Sequence, residues 1–317
     1  MTTERSALTR SAAIASVCTA LALLVIKGWA AFASSSTAML ASLSDTGLDL
    51  AASVMVFIAV AYAAKPADED HRFGHGKAEA LGAAAQMALV GAAALLIAYS
   101  AIIELLNPSS VQVATGPAII ASGVAIALTL ALIGYQSFVV VRTGSIAIKA
   151  DAMHYKSDLL LNLSVIIAMG AQAFTSANWI DPVCGLAIAA WLANGAWHTA
   201  SEAIDHLMDR EWDEDRREKL ILIVAEHREV SNLHDLRTRT SGSTHFAQFH
   251  VDMPNDVTVG EAHEIIENIE ADLAREFPDT EVIIHIDPKG HVDEPENPLR
   301  ETNEFEVIDL ASRRKAA

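Results

Sequence analysis

Residues 38–64 read AMLASLSDTGLDLAASVMVFIAVAYAA, a nearly unbroken apolar run that carries two acids, Asp45 and Asp49. As a helix rising 1.5 Å per residue it would extend roughly 40 Å, more than the ~30 Å hydrocarbon core of a bilayer. The two acids are one turn apart, so both carboxylates leave the same helix face. Ionised groups are costly inside a membrane span; they usually face the bundle interior and mark a pathway. This segment alone predicts a helical membrane protein that handles something charged.

Five more apolar runs flank it, at 11–32, 78–106, 117–141, 145–174 and 180–200. The breaks between them are turn-forming: Asn107-Pro108-Ser109-Ser110, Arg142-Thr143-Gly144-Ser145 and Thr175-Ser176-Ala177-Asn178. The run at 11–32 is too long for the apolar core of a cleaved signal peptide and is read as the first transmembrane helix. A hydrophobic content of 52% and a mean hydropathy of +0.29 suit a membrane protein better than a soluble domain. Ala- and Gly-rich stretches such as Gly82-Ala83-Ala84-Ala85 let helices approach closely.

Charge sets the expected topology. Arg5, Arg10, Lys65, Arg72, Lys77, Arg142 and Lys149 belong to the N-terminus and to the connections after the second and fourth runs. The connections after the first, third and fifth contain no Lys or Arg. The positive-inside rule then places both termini in the cytoplasm, with six spans. Cys18 and Cys184 lie in separate apolar runs and are expected to be buried and unpaired.

The character of the chain changes after Asp209. Residues 213–228 read as an amphipathic helix opened by acids, 234–240 and 245–253 as paired strands, and 258–277 as a second amphipathic helix. Thr258 followed by Glu261 suits a capping box, and 281–286 is a β-branched strand. That order predicts a small α+β domain with helices on one face of a sheet. The assigned domains are thus 1–208, a transmembrane bundle, and 209–290, the α+β unit; 291–317, rich in Pro, Glu and Asn, is expected to be disordered. Most of the net charge of −18 lies in this C-terminal part, which argues against nucleic acid and is compatible with cations.

A second pair of polar residues, His154 and Asp158, lies one turn apart near the start of the fifth span. Facing Asp45 and Asp49, it would surround one point with three carboxylates and one imidazole, the number and kind of ligands a tetrahedral zinc ion takes. A single intramembrane Asp is often only helix-end solvation, but two matched pairs are harder to explain that way. Lys156, between the two ligands, points elsewhere and reaches the headgroups. Asp68, His71 and His75 in the connection after the second span have a spacing that suits either three metal ligands or a solvated loop. In the tail, His285 and Asp287 share one sheet face, His234 and His250 lie on the other strands, and His263 on the second helix. Histidines taken singly are more often surface residues than ligands.

Three motifs in register carry a family likeness: 44–49 (SDTGLD), 71–79 (HRFGHGKAE) and 150–158 (ADAMHYKSD). To about Gly290 the chain resembles the cation diffusion facilitators and is most similar to their bacterial zinc- and iron-type exporters. The resemblance implies a Y-shaped homodimer in the bacterial inner membrane, with six spans per protomer and a ferredoxin-like cytoplasmic domain. It implies export of a divalent metal in exchange for protons, with Asp45, Asp49, His154 and Asp158 as the transport site. It also implies metal at Asp68, His71 and His75, and a binuclear site at His234, His250, His263, His285 and Asp287 in which Asp287 bridges two ions. Lys77 and Asp209 match a charge pair that interlocks the protomers.

HExxH, GxSxG and Walker sequences are absent, which points away from those hydrolases and from ATP as the energy source, and toward a secondary transporter that is not an enzyme. Three rivals are an intramembrane aspartyl hydrolase, a metal sensor without flux, and a manganese exporter. The hydrolase leaves His154 unexplained, and that same histidine favours zinc over the harder manganese, with iron(II), cobalt and cadmium close behind.

Overall fold

A computed structural model describes residues 2–34, 37–107, 116–174, 179–291 and 303–308. The chain divides into two compact units, Met1–Leu207 and Met208–Ala317.

The first unit is all helical: α1 (Thr2–Ser34), α2 (Thr37–Ala63), α3 (Lys77–Leu106), α4 (Gly116–Thr143), α5 (Ile146–Phe174) and α6 (Ile180–Leu207). Helix α3 packs most extensively on α6, while α1 packs against α2 and α4. Small residues permit this: a Cβ at Gly82 of α3 would stand 2.4 Å from the Cβ of Ala59 on α2. Gly144, at φ +62°, breaks α4 from α5 in a conformation that side chains resist. Large apolar side chains such as Val25, Leu95 and Trp197 point outward, as lipid-facing surfaces require. Among the described residues, four stretches are long and apolar enough to cross a membrane: Glu4–Phe32, Ser42–Ala63, Lys77–Leu106 and Ala121–Thr143. Helix α5 is as long as these, but its first half carries Lys149, Asp151, Lys156 and Asp158.

Cys18 is exposed and Cys184 only half buried, against the expectation of burial; both are free thiols. Counting an apolar neighbourhood as interior fails for helices whose outer faces are also apolar.

The second unit runs α7 (Glu214–Ala225), β1 (Ser231–Ser241), β2 (Thr244–Met253), α8 (Val259–Glu276) and β3 (Thr280–Pro288). β1 pairs antiparallel with β2, and β2 parallel with β3, so α8 is the crossover of a βαβ unit. Ala262, Ile266, Ile269 and Leu273 form the buried stripe of α8, packed with Leu220 and Val224 of α7 on the sheet residues Leu233, Phe249 and Val251. The Thr258–Glu261 capping box is present in both directions. Those hydrogen bonds from Thr258 hold the Glu261 carboxyl below its ordinary range.

Residues 303–308 include a helical turn from Glu304, where the sequence suggested disorder. Phe305 and Ile308 pack against the core of the second unit, and Asn303 Oδ1 accepts from the Phe305 N–H. Arg217 Nη2 also lies 3.7 Å from Glu304 Oε1; the rest of 292–317 falls outside the described residues.

Candidate metal centres

In the helical unit, ligand atoms of Asp49, His154 and Asp158 lie within 4.8 Å of one another. His154 Nε2 is 3.3 Å from Asp49 Oδ1 and 3.7 Å from Asp158 Oδ2. Ligands held ~2.0–2.2 Å from one tetrahedral zinc are themselves roughly 3.4 Å apart, so these separations suit a shared ion. His154 Nε2 is buried and has no hydrogen-bond partner among the described residues beyond its close approaches to Asp49 and Asp158. Asp45, one turn before Asp49 on α2, is exposed and not gathered with these three.

Buried polar contacts fix the helix that carries two of the ligands. The Tyr155 hydroxyl donates to the Ser16 carbonyl at 3.2 Å and pairs with Ser53 Oγ at 2.8 Å, tying α5 to α1 and α2. Asp151 is fully buried; its Oδ2 accepts from Ser16 Oγ and, at 2.7 Å, from Gln136 Nε2 of α4. Asn162 Nδ2 donates to the Asp158 carbonyl at 2.7 Å. Sequence reasoning gave no role to Asp151, or to Lys27, whose Nζ donates to Thr46 Oγ1 at 2.7 Å. The signal that finds both is the same one that found Asp45: an ionisable residue inside a span.

The second cluster, Asp68, His71 and His75, lies between α2 and α3. Asp68 Oδ1 accepts from the His71 N–H at 2.7 Å and lies 3.2 Å from His71 Nδ1, while Oδ2 lies 3.3 Å from His75 Nε2. The His71 backbone N–H is the main reason the Asp68 carboxyl sits below the usual carboxylate range. His75 is buried, its ring 4.7 Å from that of Tyr62, and its Nδ1 is 3.1 Å from the Pro66 carbonyl. A proton on Nδ1 shared with that carbonyl leaves Nε2 as the ligating nitrogen.

The third cluster, His234, His250 and Asp287, lies on one strand each of the sheet. The register sets His234 opposite His250 and His250 beside His285. Asp287 Oδ2 lies 2.8 Å from His250 Nδ1 and 3.5 Å from His234 Nε2, while Oδ1 faces His285 Nε2 at 3.4 Å. A carboxylate engaged on both oxygens has the shape of a bridge between two ions. β1 deviates from the simple alternation read in the sequence. Asn232 and Asp235 take φ of 53° and 48°, the pairing register shifts on either side of His234, and Leu233 and His234 are buried in succession. Asn and Asp tolerate the left-handed region better than other side chains, which lets the strand turn His234 toward Asp287. His263 on α8 is exposed and 3.3 Å from Glu267; it lines a pocket together with Asp287 but is not gathered with the three ligands.

Lys77 Nζ donates to the Leu207 carbonyl at 3.2 Å within the first unit. Asp209 Oδ2, within the second, lies 3.9 Å from Arg239 Nη1.

Residues 13–208 match the profile of the cation efflux transmembrane domain, and residues 212–289 that of the cation efflux protein cytoplasmic domain. The cation-efflux pump FieF of Shewanella oneidensis is 44% identical over 274 residues, covering 86% of this chain and 92% of that protein. The Klebsiella pneumoniae protein of the same name is 38% identical over 283 residues, covering 89% of this chain and 93% of the other. Among solved structures, the metal-bound C-terminal domain of the CzcD transporter from Thermotoga maritima is 26% identical, with a TM-score of 0.24; it covers 25% of this chain and 93% of that one.

Proposed function

Because the chain belongs to the cation efflux family, a family of transporters and not enzymes, we propose that it exports a divalent metal, zinc first, from the cytoplasm in exchange for protons. The observation that carries this reading is the convergence of Asp49, His154 and Asp158 from two helices on one point inside the helical unit. Asp45 is assigned as the fourth ligand: it is one turn from Asp49, and a modest rotation of α2 against α5 would bring it in.

Proton exchange follows from the ligands. Carboxylates and imidazole bind metal only when deprotonated, so protons and metal compete for the same groups. If the site opens alternately to the two sides, protons entering from the acidic side displace the ion there. The single imidazole favours zinc, with iron(II), cadmium and cobalt as acceptable cargo and manganese as the harder alternative.

The architecture proposed with this function is a six-span bundle at 1–208, lipid-embedded in the bacterial inner membrane with both termini cytoplasmic, and a ferredoxin-like domain at 209–290. The positive-inside partition supports the orientation, and the βαβ crossover after a hairpin supports the domain fold. The chain acts as a homodimer, in keeping with the cytoplasmic domain it shares with its family. Metal at His234, His250, His285 and Asp287, with His263 nearby, would hold or regulate that dimer by linkage. Asp68, His71 and His75 form a further regulatory site, and Lys77 with Asp209 an interlock between protomers.

Proteoliposomes with an imposed pH gradient test this. Zinc, iron(II), manganese and cadmium are offered in turn; the expected result is gradient-driven zinc flux. Saturable binding with no flux under any gradient would favour a sensor instead.

A further inference from the structure

We propose that Lys27 is the fixed counter-cation of the intramembrane carboxylate site and sets how tightly that site holds its dication. The inference rests on the metal-transport reading above. Lys27 lies inside α1, within the stretch Glu4–Phe32 that is apolar enough to cross a membrane. A lysine seven residues from its helix end has an alternative, which is to extend along the helix to the headgroups. Here it turns to the neighbouring helix: Nζ donates to Thr46 Oγ1 at 2.7 Å, and Thr46 is fully buried. Thr46 Oγ1 in turn donates to the Ser42 carbonyl at 3.1 Å, which leaves its lone pairs turned to the ammonium.

Thr46 follows Asp45 directly and precedes Asp49 by three residues, so it shares a helix face with Asp49. The ammonium is therefore held about one helical turn from a metal-binding carboxylate.

The charge balance gives this placement a consequence. With Asp45, exposed here, joined to Asp49 and Asp158 as the fourth ligand proposed above, the carboxylates bring three negative charges, and a dication leaves one uncompensated in a low-dielectric bundle. Lys27 offsets that one charge, so the ligands, the ion and the ammonium together are neutral; Asp151, buried one turn before His154, is engaged by Ser16 and Gln136 outside this set. The same ammonium repels the incoming dication and keeps the site from becoming a trap, since conduction needs binding strong enough to enter and weak enough to leave. A lysine that merely stapled α1 to α2 would have no such effect on affinity.

The test is zinc binding to the full-length protein in detergent by equilibrium dialysis, with the intramembrane component identified as the one lost in Asp158→Ala. Lys27→Met is expected to tighten that component at least about tenfold and to slow zinc release from preloaded proteoliposomes. Lys27→Arg, which keeps the charge, should stay within about threefold of wild type. Thr46→Val, which removes only the acceptor, covers the case in which Lys27→Met fails to fold; it should move affinity in the same direction by a smaller factor. Unchanged or weaker zinc binding in folded Lys27→Met and Thr46→Val would overturn this inference alone. Absence of any Asp158-dependent component in the wild type would overturn the transport site and this inference with it.

Discussion

His154 Nε2 on α5 stands 3.3 Å from Asp49 Oδ1 on α2, and two whole helices, α3 and α4, separate the two residues in sequence. With Asp158 one turn further along α5, two helix faces meet at a point where each supplies what the other lacks. Neither helix alone offers enough ligands to hold a metal.

A shared ion makes the ligands interdependent. Asp49→Asn and Asp158→Asn should each weaken zinc binding at this site by at least about tenfold, the scale lost even when an outer partner of a ligand is removed. The double variant should be little worse than either single one, because residues on one ion couple. Isothermal titration of the three variants checks this; strictly additive losses would mean the two aspartates serve separate sites.

His154→Asp replaces the borderline-soft ligand with a hard one. The expected outcome is a shift of transport selectivity from zinc toward manganese. Competition of manganese against zinc uptake measures it, and an unchanged ratio would place the preference elsewhere in the bundle.

Zinc that binds the folded sheet and not the unfolded chain raises stability, by about 2.7 kcal/mol at a hundredfold excess over Kd. Asp287→Asn should remove most of the zinc-dependent rise in the melting temperature of the C-terminal unit, since both Asp287 oxygens face histidines. His263→Ala should leave most of it, because that side chain is exposed and paired with Glu267. Equal losses in both variants would give His263 a ligand's weight in this site.

The capping box of α8 has a definite pH signature. Hydrogen bonds from Thr258 hold the Glu261 carboxyl below its ordinary 4.5 in the folded state. Its contribution is thus complete above that ordinary value and is lost as pH falls through the lower, folded one. Hydrogen-exchange protection factors at the first turn of α8 should fall only below about pH 4.5, and Glu261→Gln, which has no titrating group, should abolish the dependence. Protection that declines already near neutrality would assign the effect to other groups.

Much of this was legible in the sequence because it depends on period. One-turn spacing paired His154 with Asp158, and two-residue spacing set His285 and Asp287 on one sheet face; the same spacing paired Asp45 with Asp49, but only Asp49 is gathered with the α5 ligands. What period does not encode was missed. The left-handed Asn232 and Asp235 that bury Leu233 and His234 together follow from tertiary packing of β1. Lys27 looks like any lysine near a helix end until its partner on α2 is known, and Asp151 gains meaning only beside Ser16 and Gln136. Cys18 faces outward because a membrane helix can be apolar on every side.

Zinc flux through Asp158→Ala in proteoliposomes under an inward proton gradient decides whether Asp49, His154 and Asp158 hold the transported ion. Flux should fall to the level of empty liposomes while zinc binding to the C-terminal sheet persists. Flux near that of the wild type would contradict that assignment and require another route for the ion.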